Sequence, residues 1–328
     1  MQVAPPLALT MGEPAGICAE ITAAAWRELK NTPKLAFFWL SDASWAATTG
    51  MPIIPIHHPK EAVAAFPSGL PVLDLPLASA PRPGEITAGN APAVVKSIET
   101  AVRLIKERQA SGIVTNPIHK KALYDAADFQ YPGHTEFLAA LGDADQTVMM
   151  LACKSLRVVP TTIHIPLTKI SESLSAALLT TTIRITRDAL VRDFGIDNPR
   201  IVIAGLNPHA GENGAIGKEE ITTIAPVVRA LKNEGLNIAG PSAADTLFHA
   251  EARSKYDVAV CMYHDQALVP IKTLAFDKAV NVTLGLPFVR TSPDHGPALD
   301  IAGTGRASPT SLIEAIRLAA DMAERRRQ

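Results

Sequence analysis

Five histidines, His134, His164, His209, His264 and His295, lie in polar or glycine-rich clusters at the ends of strand-like runs. His164 closes the run 158–163, His209 follows 201–205 by a few residues, and His264 follows 257–262 directly. In one parallel sheet these three would emerge along one edge, the carboxyl edge where open α/β sheets bind ligands. Neutral imidazole suits Zn²⁺, Co²⁺ and related ions. Three protein ligands with an open fourth position make a catalytic metal site. The plainer reading is that each histidine closes its own loop through a backbone hydrogen bond. The shared strand-end placement weighs against that reading for all three at once.

Asp265, beside His264, has three readings: a carboxylate that orients the imidazole, a proton acceptor, or a helix N-cap. Lys272 and Arg290 flank the next strand and, with Asn281, form a set suited to an anionic substrate. The arginine fork matches phosphate in particular. No G-x-G-x-x-G follows a strand, and no phosphate-binding G-x-x-x-x-G-K-[ST] or G-x-S-x-G elbow occurs. Gly12-Glu13-Pro14-Ala15-Gly16 reads only as a tight turn before a helix.

These residues need elements to position them, and strand-like and helical patterns alternate along the chain. Leu7–Thr10 and Leu35–Leu40 read as strands, and Ile17, Ile21, Ala25 and Leu29 share one helix face. The helix 92–108 presents Val94, Val95, Ile98, Ala101, Val102 and Ile105 inward. Strands follow at 112–116, 148–152, 158–163, 201–205, 257–262 and 280–284, with helices near 168–194, 219–234 and 309–325. Residues 50–90, rich in proline, read as loops around short strands, and the basic stretch 324–328 as a solvated helix end. Such alternation predicts an α/β fold with a largely parallel sheet. The 328 residues, 47% hydrophobic with a net charge of -1, are enough for two cores and offer no global attraction to nucleic acid or an anionic membrane. The start of the chain lacks a secretory pattern, and no run approaches the roughly 18 apolar residues of a membrane helix. Cys18, Cys153 and Cys261 form no C-x-x-C pair, which fits a reducing, cytoplasmic setting.

GEPAG, GHTEF, GLNPHAGENG, PSAADT, YHDQ and VNVTLGLPFVRTSPDHG occur in this order, followed by the end of HGPALDIAG. In these motifs the chain resembles the 4-hydroxythreonine-4-phosphate dehydrogenase family of vitamin B6 biosynthesis over nearly its whole length. The resemblance implies two α/β/α domains of the isocitrate/isopropylmalate dehydrogenase-like type with an interdomain cleft. One domain would comprise 1–130 and 285–328. The other, 131–284, would carry the metal ligands and a homodimer interface. It implies His164, His209 and His264 as ligands of a divalent ion (Zn²⁺, Mg²⁺ or Co²⁺), with His264 supplied by the partner subunit. His134, Thr135, Lys272, Asn281 and Arg290 would contact a phosphorylated hydroxy amino acid. His295, Gly296 and Asp300 would lie in an adenosine-binding loop for NAD(P), which would account for the missing G-x-G-x-x-G. The implied reaction is oxidation of 4-phosphooxy-L-threonine, and a paralogous dehydrogenase of 4-phosphoerythronate or 4-phosphothreonate is the nearest alternative. A metal-dependent hydrolase and a non-catalytic metal-binding dimer are more distant ones. Cys18, Ala267, Pro293 and Pro297 depart from the family pattern, and Pro297 bears on the choice between NAD and NADP.

Overall fold

The computed structural model describes residues 4–127 and 129–327. Gln328, at the end of the basic stretch, lies outside them. Two compact units form, Met1–Asp145 with Leu286–Gln328, and Gln146–Gly285. The sequence reading puts the first boundary at 130/131. The difference is the helix His134–Gly142, which stays with the first unit: Phe137 and Leu138 are buried, and Asp143, just after it, pairs with Lys106 at 2.9 Å.

The first unit contains β1 (Leu7–Leu9), β2 (Phe37–Ser41), β3 (Ile53–Ile56), β4 (Leu70–Asp74), β5 (Ile113–Val114) and β12 (Arg290–Pro293). They form a parallel sheet in the order β3-β4-β2-β1-β5-β12. All five residues of β2, Phe-Phe-Trp-Leu-Ser, are buried, as suits a central parallel strand covered on both faces. The helix Cys18–Leu29 buries the expected Ile21, Ala25 and Leu29. In the helix Ala91–Lys106, Val95 and Ile105 are only half-buried, while Ser97 and Leu104 take inner positions. Hydrophobic spacing misses Ser97 because its role is polar: its Oγ accepts from the Met11 N–H at 3.2 Å. β12 is missed for a similar reason, since Arg-Thr-Ser-Pro has no apolar run. Pairing to β5 and a Thr291 hydroxyl donated to the Ala315 carbonyl (2.8 Å) hold it.

The second unit contains β6 (Val148–Cys153), β7 (Leu156–Pro160), β8 (Ile201–Ala204), β9 (Ile238–Ser242), β10 (Val258–Cys261) and β11 (Val280–Leu284). Their order is β11-β6-β7-β10-β8-β9, antiparallel across β11, β6 and β7 and parallel from β7 onward. β7, β10 and β8 are thus parallel neighbours, and the histidine-bearing loops follow their carboxyl ends. The predicted helix 168–194 is two helices, Ile170–Ser173 and Ala176–Phe194, because Ser175 caps the second by accepting from Leu178 N–H at 3.1 Å.

Candidate active site

In the first unit β1 lies between β2 and β5, so the strand order reverses at the carboxyl ends of β1 and β5, the usual ligand crevice of such sheets. The turn after β1 needs Gly12: its φ is +75°, and a Cβ there would lie 2.5 Å from the Cys18 sulfur. Arg290 opens β12 and is 4% exposed, its Nη2 donating to Thr115 Oγ1 at 2.8 Å just past β5. Burial pushes this guanidinium down to about 10, partly offset by Glu136, so it stays charged at neutral pH. His134 and Thr135 open the helix His134–Gly142, whose N-cap Gly133 offers no side chain to the first-turn amides. Those amides point outward with the positive end of the helix dipole. The His134 Nε2 is buried without a hydrogen-bond partner. Burial, then the charges of Arg290 and Lys120, hold this ring well below the usual histidine range. Guanidinium, neutral imidazole and helix amides are the groups from which a desolvated anion site could be built. Lys120 belongs to its field. The cluster TNPIHKK marks that lysine in the sequence, but nothing in its spacing tells it from a surface charge.

In the second unit the rings of His164 and His264 lie 5.9 Å apart, within one chain. His264 Nδ1 and Asp265 Oδ1 are 2.6 Å apart. A proton on Nδ1, donated to the carboxylate, leaves the Nε2 lone pair free, the arrangement of a metal-ligating histidine. Tyr263, not Asp265, is the N-cap of the helix His264–Ala275. His209 lies in a loop where residues 209–213 all have positive φ, between 44° and 79°. Such backbone persists only when its surroundings over-determine it. Here Asn207 does the anchoring: its N–H donates to Glu220 Oε1 (2.7 Å), and its Nδ2 donates to Glu219 (2.8 Å) and to buried Glu220 (3.0 Å). The Ser171 hydroxyl also donates to Glu219, at 2.5 Å, and these donors push that carboxyl down to about 2. A Cβ on Gly211 would lie 2.5 Å from Glu220, so the loop closes tightly on this carboxylate. Among the described residues no three His, Cys, Asp or Glu side chains converge as a metal requires. The structure pairs His164 with His264 and does not bring His209 into that group.

Lys272 lines a cavity of about 390 Å³ with His264, Asp265, Leu268 and Phe276. Asn281 lies on β11 opposite Leu151 and does not line it. His295, Gly296 and Asp300 are exposed. Their loop is tied down by the Pro297 carbonyl, which accepts from Ile17 N–H at 3.0 Å, and by the Gly303 N–H, which donates to Glu20. A proline keeps that carbonyl, so the departure from the family pattern retains the anchor. A cavity of about 970 Å³ in the first unit is lined by Gly16, Glu20, Trp45, Ser79, Gly303 and Gly305. The three predicted cofactor residues do not line it, but residues shortly after them do, and so does Gly16 of the turn read only as a turn. Cys18 and Cys261 are buried free thiols with pKa values raised by burial, so neither is a nucleophile.

The pyridoxal phosphate biosynthetic protein PdxA family matches residues 36–319. The chain is 56% identical over 324 residues to the 4-hydroxythreonine-4-phosphate dehydrogenase of Roseobacter denitrificans, covering 98% of both, and 53% identical to that of Ruegeria sp., covering 98% of this chain and 97% of the relative. The crystal structure of the Klebsiella pneumoniae enzyme of that name superposes with a TM-score of 0.89 at 38% identity, over 98% of each chain. A terephthalate 1,2-cis-dihydrodiol dehydrogenase from Burkholderia xenovorans is similar at a TM-score of 0.66 and 27% identity, over 97% of this chain and 98% of that one. These likenesses place the chain among α/β oxidoreductases. It belongs to the PdxA family of pyridoxal phosphate biosynthesis.

Proposed function

We propose that the chain catalyses NAD(P)-dependent oxidation of 4-phosphooxy-L-threonine to 2-amino-3-oxo-4-(phosphooxy)butyrate, which loses CO₂ to give 3-amino-2-oxopropyl phosphate on the way to pyridoxine 5'-phosphate. The observation that carries this reading beyond family membership is the buried Arg290 beside His134 at an uncapped helix start. That is a site for a phosphate. Arg290, His134 and Thr135 anchor the phosphate, and Lys272 and Asn281 serve the remaining polar groups of the substrate. Oxidation removes the C3 hydrogen with its electron pair and the hydroxyl proton, leaving a ketone. The ketone, β to the carboxylate, accepts the electron pair released with CO₂.

His164, His209 and His264 would hold a divalent ion, Zn²⁺, Mg²⁺ or Co²⁺. The free Nε2 implied by the His264–Asp265 bond fits that role. Bound there, such an ion supplies a Lewis acid for the substrate hydroxyl. Asp265, already engaged with His264, orients the imidazole in this reading. NAD(P)⁺, the hydride acceptor, would use the 970 Å³ cavity with the loop of His295, Gly296 and Asp300. Both the cavity size and the anchored loop support this.

We further propose a homodimer with an active site shared between subunits. Leu167, Val269 and Phe276, 69%, 61% and 78% exposed, lie on the loop and helix that carry His164 and His264, an apolar face suited to a second copy. In this reading His264 comes from the partner subunit, so His209 and His264 are the pair that tests sharing. Mixing His209→Ala with His264→Ala should restore roughly a quarter of wild-type activity if the two come from different chains, for independent sites in a symmetric dimer. No recovery after verified subunit exchange removes the sharing. The reading places the enzyme in the cytoplasm, consistent with the buried free thiols of Cys18 and Cys261. The deciding experiment is turnover on 4-phosphooxy-L-threonine and on 4-phosphoerythronate with NAD⁺ or NADP⁺, with and without added divalent ion. Preference for the hydroxy acid would turn the assignment to the paralogous dehydrogenase. Turnover without NAD(P)⁺ would turn it to a hydrolase.

A further inference from the structure

The phosphate reading leaves a charge deficit. At neutral pH a phosphate monoester carries roughly 1.5 to 2 negative charges. Arg290 brings one positive charge, and His134, held neutral, brings none. The Glu136 carboxylate acts on the Arg290 guanidinium and offsets part of that one charge. The fold puts a second cation at the same helix start. A Cβ on Gly133 would lie 3.3 Å from both Cε and Nζ of Lys120 and 3.5 Å from Glu136 Oε2. The lysine therefore crosses the bare face of the glycine that caps the helix His134–Gly142. Two bonds keep it there. The His119 ring caps the helix Lys120–Ala126 by accepting from Ala122 N–H at 3.3 Å, and the Tyr124 hydroxyl of that helix donates to the Pro132 carbonyl, just before Gly133, at 3.0 Å. The neighbouring Lys121 is engaged elsewhere, with Asp125 at 2.8 Å. We infer that Lys120 is a direct ligand of the substrate phosphate, closing the solvent side of a site whose buried floor is Arg290, and that the bare Gly133 gives its ammonium room to do so. The inference rests on the reading of Arg290, His134 and Thr135 as the phosphate anchor.

The two cations suit different tasks. Arg290 is 4% exposed and its planar fork is fixed on Thr115, so it sets the direction of approach. Lys120 is exposed, and its ammonium is a point charge with three donors on a flexible stem. It can follow the phosphate oxygens that face solvent, adding affinity without dictating orientation. Contact differs from a long-range field in one respect, since contact needs the ammonium where it now lies. Gly133 controls that place. Its backbone is extended, with φ -178°, so alanine is tolerated there without strain, and the added methyl would press on the far end of the Lys120 side chain.

The test uses the full-length protein with inorganic phosphate as the probe, affinity coming from titration calorimetry and folding from thermal unfolding. Lys120→Met should weaken phosphate binding about tenfold, the size of a charge-assisted hydrogen bond. Lys120→Gln should do the same, and it serves as the readout should Lys120→Met fail to fold. Lys121→Met removes the same charge one residue on and should change affinity by less than about twofold, because an exposed charge away from the ligand is screened. Gly133→Ala keeps every charge and should still weaken phosphate by displacing the ammonium. In the Lys120→Met background it should cost nothing further, since the two changes act through one contact. Wild-type affinity in a folded Lys120 variant, or equal losses from Lys120→Met and Lys121→Met, would overturn the contact. An equal loss from Gly133→Ala in both backgrounds would overturn the part assigned to Gly133. Wild-type protein that binds no phosphate, or binds it no better than Arg290→Met does, would remove the anchor reading and this inference with it.

Discussion

The candidate anion site of the first unit and the candidate histidine site of the second achieve order by opposite means. In the first, the working groups are themselves packed away: Arg290 is 4% exposed and the His134 Nε2 is buried. In the second, the working side chains are open, 36% exposed for His264 and 67% for His209, and the burial belongs to the groups beneath them, Gln266 and Glu220. Buried cations are costly to desolvate and so favour an anionic ligand that neutralises them. Open imidazoles keep their lone pairs available, and the backbone beneath supplies the precision. Substitution should therefore couple function to stability in the first unit and separate them in the second.

The largest effect expected is in the second unit. His164→Ala or His264→Ala should lower bound metal and reduce kcat by about 10³-fold or more, since Lewis-acid stabilisation amounts to several kcal/mol. The melting temperature of the metal-free protein should hardly move, because such exposed changes usually stay within about 0.5 kcal/mol. Metal content and turnover, read beside thermal unfolding, check both halves. A His264→Ala protein with full metal and normal kcat would break the comparison.

In the first unit, Arg290→Lys keeps the charge and loses the planar fork. KM for the phosphorylated substrate should rise about 10–100-fold, the range for a charge-assisted hydrogen bond of roughly 1.5–3 kcal/mol. The melting temperature should fall too, because the bond to Thr115 Oγ1 is buried. An unchanged KM would remove Arg290 from phosphate recognition. A raised KM with an unchanged melting temperature would show that burial does not couple the two. Asp265→Asn is the milder counterpart in the second unit. The amide oxygen still accepts from His264 Nδ1 but without charge, so metal affinity should drop about tenfold, at the low end for such partners. Chelator competition gives the number, and wild-type affinity would deny Asp265 an orienting role.

What could be read in advance follows the same division. The strand-end position of His164, His209 and His264 was legible because parallel strands and the loops after them have a plain pattern, and β7, β10 and β8 are indeed neighbours. The buried groups beneath were not legible. Glu220 and Gln266 look like surface residues in the sequence, and only the fold makes them buried partners of backbone groups, Glu220 of the Asn207 N–H and Gln266 of the Met262 N–H and the Gly205 carbonyl. Arg290 was visible as a candidate phosphate ligand by type, but its strand, β12, was hidden by polar residues that pack through hydrogen bonds. Lys120 was marked only by lying in the cluster TNPIHKK, since its part depends on where the chain turns between β5 and the helix His134–Gly142.

The smallest effect is also the most direct probe of the first-unit site, the titration of His134. Its pKa in the folded protein lies well below 6.5, by burial first and then by the charges of Arg290 and Lys120. Between the folded and unfolded values the unfolded chain binds more protons. The stability that neutral His134 contributes is therefore complete above about pH 6.5 and is lost as pH falls toward the folded value. Inorganic phosphate bound beside the ring supplies the opposite charge and should raise the folded pKa. The His134 ring signal in a proton NMR titration should accordingly show a midpoint below 6.5 that moves upward when phosphate is added. Arg290→Met removes one of the two cationic neighbours, so its midpoint should rise without any ligand and respond less to phosphate. A midpoint at the ordinary histidine value that ignores phosphate would take His134 out of the anion site and leave Arg290 as a buried structural cation.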